Sequence, residues 1–258
     1  MSDRKRGVKT MKEKKSTNHN NVLVIPDVHL KPHMFEQAAR LMKSGIAGQA
    51  VCLMDIPDDW HSEYNIELYV RTFDAAIAFA EEYPDTLWCY GNHEPSYIWN
   101  EMESGYSSFV SWTVKEKLLE LQKKLPEGNE IRYIHKKDNV IFCHGGLRDD
   151  FVRSTVKASI YHDVDAAVDA VNGLHHDLIW NNASPVWHRP QYWKEKMYRP
   201  RKILQVVGHT PVDKISRSQN VISCDTFSTY RDGRPIGTRE FLLINTLTWE
   251  YRGIAAEI

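Results

Sequence analysis

Apolar residues in the first half of the chain come in short runs that stop abruptly at polar residues. Val22 to Ile25 is one such run, ended by Pro26 and followed at once by Asp27-Val28-His29. Ala50 to Met54 runs into Asp55-Ile56-Pro57-Asp58, and Thr86 to Tyr90 into Gly91-Asn92-His93-Glu94. Val140 to Cys143 leads to His144-Gly145-Gly146, and Ile203 to Val207 to Gly208-His209-Thr210-Pro211. Short runs of this kind, rich in β-branched residues, read as buried strands. Between them the apolar spacing changes to that of a helix. Phe35 to Lys43 is one helix, closed by Ser44-Gly45; a second is capped by Ser62, carries Ile66, Tyr69, Val70, Phe73, Ile77 and Ala80 on one face, and ends before Pro84. Ser107 to Lys124 and Asp163 to Val171 read as two more, the last stopped by Gly173. Towards the end the pattern is mostly strand, at Val221 to Cys224 and Phe241 to Ile244, with Thr246 to Tyr251 pairing nearby. Alternation followed by a strand-rich end predicts an α/β (α+β) fold: two sheets face to face with helices outside.

Two segments fall outside this pattern. Residues 1–20 are rich in Lys, Arg, Ser and Asn without apolar periodicity, and read as a disordered basic tail before a single domain over 21–258. Residues 180–202 mix aromatic and basic residues without a period, and read as a packed insert within that domain.

The formal charge of −1 over 258 residues carries no global footprint for nucleic acid, though a local patch leaves that partner open. No apolar run is long enough for a membrane span or reads as a leader, so a cytoplasmic location is expected. Cys52, Cys89, Cys143 and Cys224 all lie in apolar runs without a CxxC pair, and are expected to be small buried hydrophobes.

What changes the picture is the residues at the strand ends. Each apolar run delivers a carboxylate, imidazole or amide just past its end, where open α/β sheets bind ligands. Divalent ions of the Mn, Fe and Zn type accept this mixed set. Asp27 and His29 can reach one ion, Asp55 can bridge to another, and Asn92, His144 and His209 can complete the second. Two ions about 3.5–4 Å apart would share a hydroxide and hold phosphate oxygens on both sides of an in-line attack. His93 is then free to protonate the leaving oxygen, with Asp58 holding its imidazole.

In the order Asp27-x-His29, Asp55-x-x-Asp58, Gly91-Asn92-His93-Glu94, His144-Gly145-Gly146 and Gly208-His209-Thr210-Pro211, these motifs resemble the calcineurin-like metallophosphoesterases. The stretch Val206 to Pro211 followed by Val221 to Thr226 is most similar to their phosphoprotein phosphatase and bis-nucleoside-tetraphosphatase branch. The resemblance implies a four-layer sandwich of helices, two sheets and helices. It implies Asp27, His29 and Asp55 on one metal, Asp55, Asn92, His144 and His209 on the other, and His93 as acid paired with Asp58. Two departures stand out. Met54 replaces the glycine usual before the bridging Asp, and Asp59 replaces the phosphatase arginine that clamps phosphate. Arg148 and Arg189 are candidate replacements for that clamp.

The leading expectation is therefore a phosphatase acting on phosphoprotein or a small phosphorylated molecule, with two divalent ions: Mn first, Fe or Zn as alternatives. A phosphodiesterase or nucleotide pyrophosphohydrolase is the alternative that Asp59 and the aromatic segment, which could stack a base, favour. An inactive binding module is a third reading, weakened because every ligand position is filled.

Overall fold

The computed structural model describes residues 19–256; most of the basic tail lies outside them. The ten strands among these residues form two five-stranded sheets. In the first, β1 (Asn21–Ile25) lies at the centre, parallel to β2 (Gln49–Cys52) and antiparallel to β9 (Glu240–Asn245). β3 (Leu87–Trp88) continues the parallel side, and β10 (Tyr251–Ala255) closes the other edge. The second sheet runs β4 (Ile134–Lys137), β5 (Val140–Cys143), β6 (Leu204–Val207), β8 (Val221–Ser223), β7 (Ser216–Ser218), with β5, β6 and β8 parallel.

Strand alternation sorts the apolar side chains into layers. Val22 and Val24 of β1 face the second sheet with Val206, Phe142 and Ile222, while Leu23 and Ile25 face helices. The first sheet is covered by α1 (His33–Lys43), α2 (Ile66–Glu82), α3 (His93–Trp99) and α4 (Ser111–Lys124). The second is covered by α5 (Asp149–Thr155) and α6 (Val164–Asn172), with Ile179 of the short α7 (His176–Ile179) in the same core. The result is the four-layer sandwich of two mixed sheets. The four cysteines are buried and unbridged, and burial raises each thiol pKa.

Several boundaries differ from the sequence reading. Asn65, not Ser62, caps α2, its side chain accepting from Leu68 N at 3.1 Å. The final strand is Tyr251–Ala255; residues 246–250 form the turn that returns it beside β9. Gly173 does end α6, but at φ −89°, so it uses no left-handed freedom. The edge strands β4 and β7 and the seven-residue helices α3 and α5 carry too little apolar periodicity to be seen in advance.

Candidate metal centre and cavity

The chain leaves both central strands in parallel. Val28 N, His29 N and Leu30 N donate to Met54 O, Asp55 O and Ile56 O at 3.0, 2.7 and 3.0 Å, so the two loops stay paired beyond β1 and β2. The turn is tight: His29, Met54, Asp55 and Asp58 have φ of 41°, 54°, 44° and 67°. A side chain in this left-handed region costs about 1–2 kcal/mol, which explains why glycine suits the position of Met54. Here that cost is accepted and Met54 is buried in the core instead.

Glycines let backbone approach the carboxylates. A Cβ on Gly91 would lie 1.8 Å from Asp55 Oδ1, and one on Gly208 would lie 1.9 Å from Asp27 Oδ1. Backbone amides then fix both acids: His93 N donates to Asp55 Oδ1 at 3.0 Å and His209 N to Asp27 Oδ2 at 2.8 Å.

Asp27, His29, Asp55, Asn92, His93, His144 and His209 all meet in one place. His144 Nε2 lies 3.0 Å from Asp55 Oδ2, 3.1 Å from Asn92 Oδ1 and 3.9 Å from Asp27 Oδ2. Its Nδ1 meets Leu53 O at 3.1 Å. His29 Nδ1 meets Asp58 O at 2.9 Å, and its Nε2 stands 3.9 Å from Asp55 Oδ2. Ligand-type atoms of His29, Asp55 and His93 lie within 4.8 Å of one another, as do those of Asp55, His144 and His209. Asp55 is common to both groups, the position a bridging ligand needs.

The donor set fits divalent cations on a second count. Asp27 Oδ1 and His209 Nε2 are buried without a hydrogen-bond partner, and buried polar atoms are seldom left so. Burial holds the His209 imidazole well below its ordinary pKa, so its lone pair is free at neutral pH. Burial and the nearby Asp225 carboxylate push Asp27 up. Burial opposes charge on Asp55 as well, but His144, His93 and His29 outweigh it and hold this carboxyl well down. His144 is conversely pushed up to about 9 by Asp55 and Asp27 against its burial.

Asp58 turns away from this group and towards His93. Its Oδ2 is 2.8 Å from His93 Nδ1, leaving Nε2 as the free nitrogen. Burial lowers the His93 pKa, but Asp55 and Asp58 together push it up to about 10. Tyr69, expected only as an apolar position of α2, donates its hydroxyl to Asp58 Oδ1.

Two further acids escaped the sequence reading. Glu94 is buried in α3 and accepts from Ile56 N at 2.7 Å and Gly91 N at 3.0 Å, tying two ligand loops together. Burial, then Asp55, raise it to about 7. Asp225 is buried after β8 and accepts from Ser228 Oγ at 3.0 and 2.9 Å. Their positions in Gly-Asn-His-Glu and Cys-Asp-Thr were visible, but which way an acid turns is not a property of local sequence.

The centre opens into a cavity of about 450 Å³ walled by Trp60, Glu63, Tyr106, Arg189, Thr229 and Arg231. Asp59 also lines it, but is tethered: Lys31 Nζ is 3.0 Å from Oδ2, and Trp60 N and Thr229 Oγ1 reach Oδ1 at 2.8 and 3.2 Å. Trp60 Nε1 to Thr229 O and His61 Nε2 with Arg231 O complete a clasp on the turn at 228–235. Arg189 gives Nη1 to His209 O at 2.7 Å and to Thr210 Oγ1 at 3.2 Å, beside the centre. Arg148 is elsewhere. It pairs with Asp150 at the start of α5 and lines no part of this cavity. Arg231 is the cation that sequence reasoning missed, since a turn of exposed residues carries no signal.

Two mixed sheets thus present acids and imidazoles together just past their parallel strand ends, a donor set suited to divalent ions. The sequence model described as calcineurin-like phosphoesterase matches residues 21–232, and the chain belongs to that family. A cold-active protein-tyrosine phosphatase of a psychrophile Shewanella sp. is 15% identical, with 91% of this chain and 80% of that chain covered and a TM-score of 0.52. A metallophosphoesterase from Sphaerobacter thermophilus is 14% identical over 93% of this chain and 89% of that one, with a TM-score of 0.46. Comparison with curated proteins returns no match. The family implies a dinuclear divalent centre, and the residues present fit it. Among the described residues no helix is long and apolar enough to cross a membrane.

Proposed function

We propose that the chain is a phosphatase whose preferred substrates are phosphomonoesters, on a phosphoprotein or a small phosphorylated molecule. Asp27, His29 and Asp55 would hold one divalent ion, and Asp55, Asn92, His144 and His209 the second. Mn is the first choice for both, with Fe or Zn as alternatives. When bound, such ions supply Lewis acidity and an activated water. The protein residues do the rest. Arg189 places a guanidinium beside His209, where it can fork onto phosphate oxygens. His93, oriented through Nδ1 by Asp58, presents Nε2 to donate a proton to the leaving oxygen.

The observation that carries the monoester reading is the pairing of Asp59 with Lys31, 3.0 Å apart. An unpaired carboxylate on this wall would repel a dianion; one that shares its charge with a lysine, in a cavity also lined by Arg189 and Arg231, repels it far less. The second reading, a diester or pyrophosphate substrate, is favoured by Trp60, half exposed on the same wall and able to stack a base. Parallel assays of Mn-reconstituted protein on p-nitrophenyl phosphate, bis-p-nitrophenyl phosphate and dinucleoside polyphosphates decide between them. A kcat/KM higher on the monoester than on both others supports the first; the reverse order overturns it.

A further inference from the structure

Two buried tyrosine hydroxyls stand behind the His93–Asp58 pair. Tyr69 of α2 and Tyr97 of α3 are both fully buried. Both donate to Asp58 Oδ1, at 2.7 and 2.5 Å, while Asp58 Oδ2 meets His93 Nδ1 at 2.8 Å. His93 opens α3 and Tyr97 follows one turn later, so a single helix contacts each carboxylate oxygen. The Tyr97 proton has a fixed direction. Its oxygen accepts from Ser107 N at 3.0 Å, and its one proton is left for Asp58.

The same network reaches the cavity. Tyr106 stacks on Tyr97 with ring centres 4.6 Å apart, and it lines the cavity with Gly105 and His93. Gly105 packs closely on the pair: a Cβ there would lie 3.0 Å from Asp58 Cβ and 3.5 Å from His93 Cε1. This part of the cavity wall therefore rests on the residues that the two tyrosines hold.

We infer that Tyr69 and Tyr97 are positioning residues for proton delivery, and that they matter most for esters whose oxygen leaves poorly. The inference rests on the assignment of His93 as the general acid. As the P–O bond breaks, its electron pair goes to the leaving oxygen and the His93 Nε2 proton joins it. The products on that side are a neutral alcohol and an imidazole still bonded to Asp58. The water that supplies the new P–O bond returns a proton to the imidazole. Delivery needs Nε2 to point at the leaving oxygen, and that direction is set through Asp58. Two donors on Oδ1 leave the carboxylate one orientation, and the imidazole with it.

A buried carboxylate needs donors for stability alone, so a structural role has to be told apart from a positioning one. A structural hydroxyl serves every substrate alike. One that acts through the acid serves phenyl and alkyl phosphates most. It serves p-nitrophenyl phosphate least, because nitrophenolate is a stable anion that leaves without a proton.

Tyr69→Phe, Tyr97→Phe and the double variant keep both rings and remove only oxygens. They are loaded with Mn and assayed, beside His93→Ala, on phenyl phosphate and p-nitrophenyl phosphate. The ratio of kcat/KM on phenyl to that on p-nitrophenyl phosphate should fall about threefold in each single variant and about tenfold in the double, with metal content retained. His93→Ala should move the ratio the same way and further. A second measurement needs no turnover. In Zn-loaded protein with isotope-labelled histidines, the His93 Nδ1–H resonance, identified by its loss in His93→Ala, should shift and exchange faster with water in the tyrosine variants. Should the double variant fold poorly, the single ones carry both readings. An unchanged ratio or an unmoved resonance in the tyrosine variants overturns the inference and leaves His93 as the acid. If His93→Ala also loses equally on both esters, the acid assignment falls and the inference with it.

Discussion

His93 and Asp58 are joined Nδ1 to Oδ2 at 2.8 Å, and the other Asp58 oxygen takes hydroxyls from Tyr69 at 2.7 Å and Tyr97 at 2.5 Å. The carboxylate is thus held on three sides, so the imidazole it orients has one free nitrogen and a fixed direction. His93→Ala should lower kcat by about 10²–10⁴-fold, the usual worth of a placed general acid, with two metals per chain retained. Turnover per bound metal pair and metal content by elemental analysis check both halves. Loss of a metal at unchanged rate per pair would exchange the roles of His93 and Asn92.

Asn92→Ala should behave oppositely. Asn92 Oδ1 is 3.1 Å from His144 Nε2, inside the proposed second ligand set. Its loss should reduce saturating Mn from two ions per chain towards one. A wild-type stoichiometry of one under the same conditions would sink the dinuclear assignment altogether.

Gly91→Ala and Gly208→Ala should each abolish tight metal binding, because their Cβ atoms would overlap Asp55 and Asp27 oxygens at 1.8 and 1.9 Å. Gly173→Ala is the control. Its Cβ would meet nothing closer than 3.6 Å, at a φ of −89° that alanine adopts freely. That substitution should be neutral or stabilising by about 0.4–1 kcal/mol in chemical denaturation.

Asp59→Ala should raise KM for phosphomonoesters several-fold with little change in kcat, by releasing Thr229 and the turn that carries Arg231. Arg231→Ala should do the same. If both act through one clasp, the double variant should be no worse than either single one, a non-additivity that a double-mutant cycle measures.

His135 makes stability depend on pH away from the metal centre. It is buried in β4, its Nε2 3.0 Å from Trp88 O, and burial lowers its pKa to about 4 from 6.5. Between those values the unfolded chain binds the proton more readily than the folded one, so acid favours unfolding. The contribution is present in full above pH 6.5 and lost as pH falls towards 4, amounting to at most about 3 kcal/mol. His135→Gln should flatten the slope of unfolding free energy over that window; an unchanged slope would remove His135 as its cause.

Much of this protein is written locally. β1, β5 and β6 were legible because a buried strand needs a short apolar run, and α2 because one helical face must be apolar. The residues proposed as metal ligands stood out as a set because each follows such a strand within about four residues, where side chains leave the core. What depends on meeting a distant partner was not. Asp59 reads alone as a misplaced negative charge, and only folding brings Lys31 and Thr229 to it. Arg148 and Arg189 look equivalent in sequence, yet one is consumed by Asp150 and the other lies beside His209. Glu94 and Asp225 became structural acids because burial left each with backbone amides or a hydroxyl as partners. Periodicity reports which residues must leave water; which polar groups then find one another is decided by the packing of the two sheets.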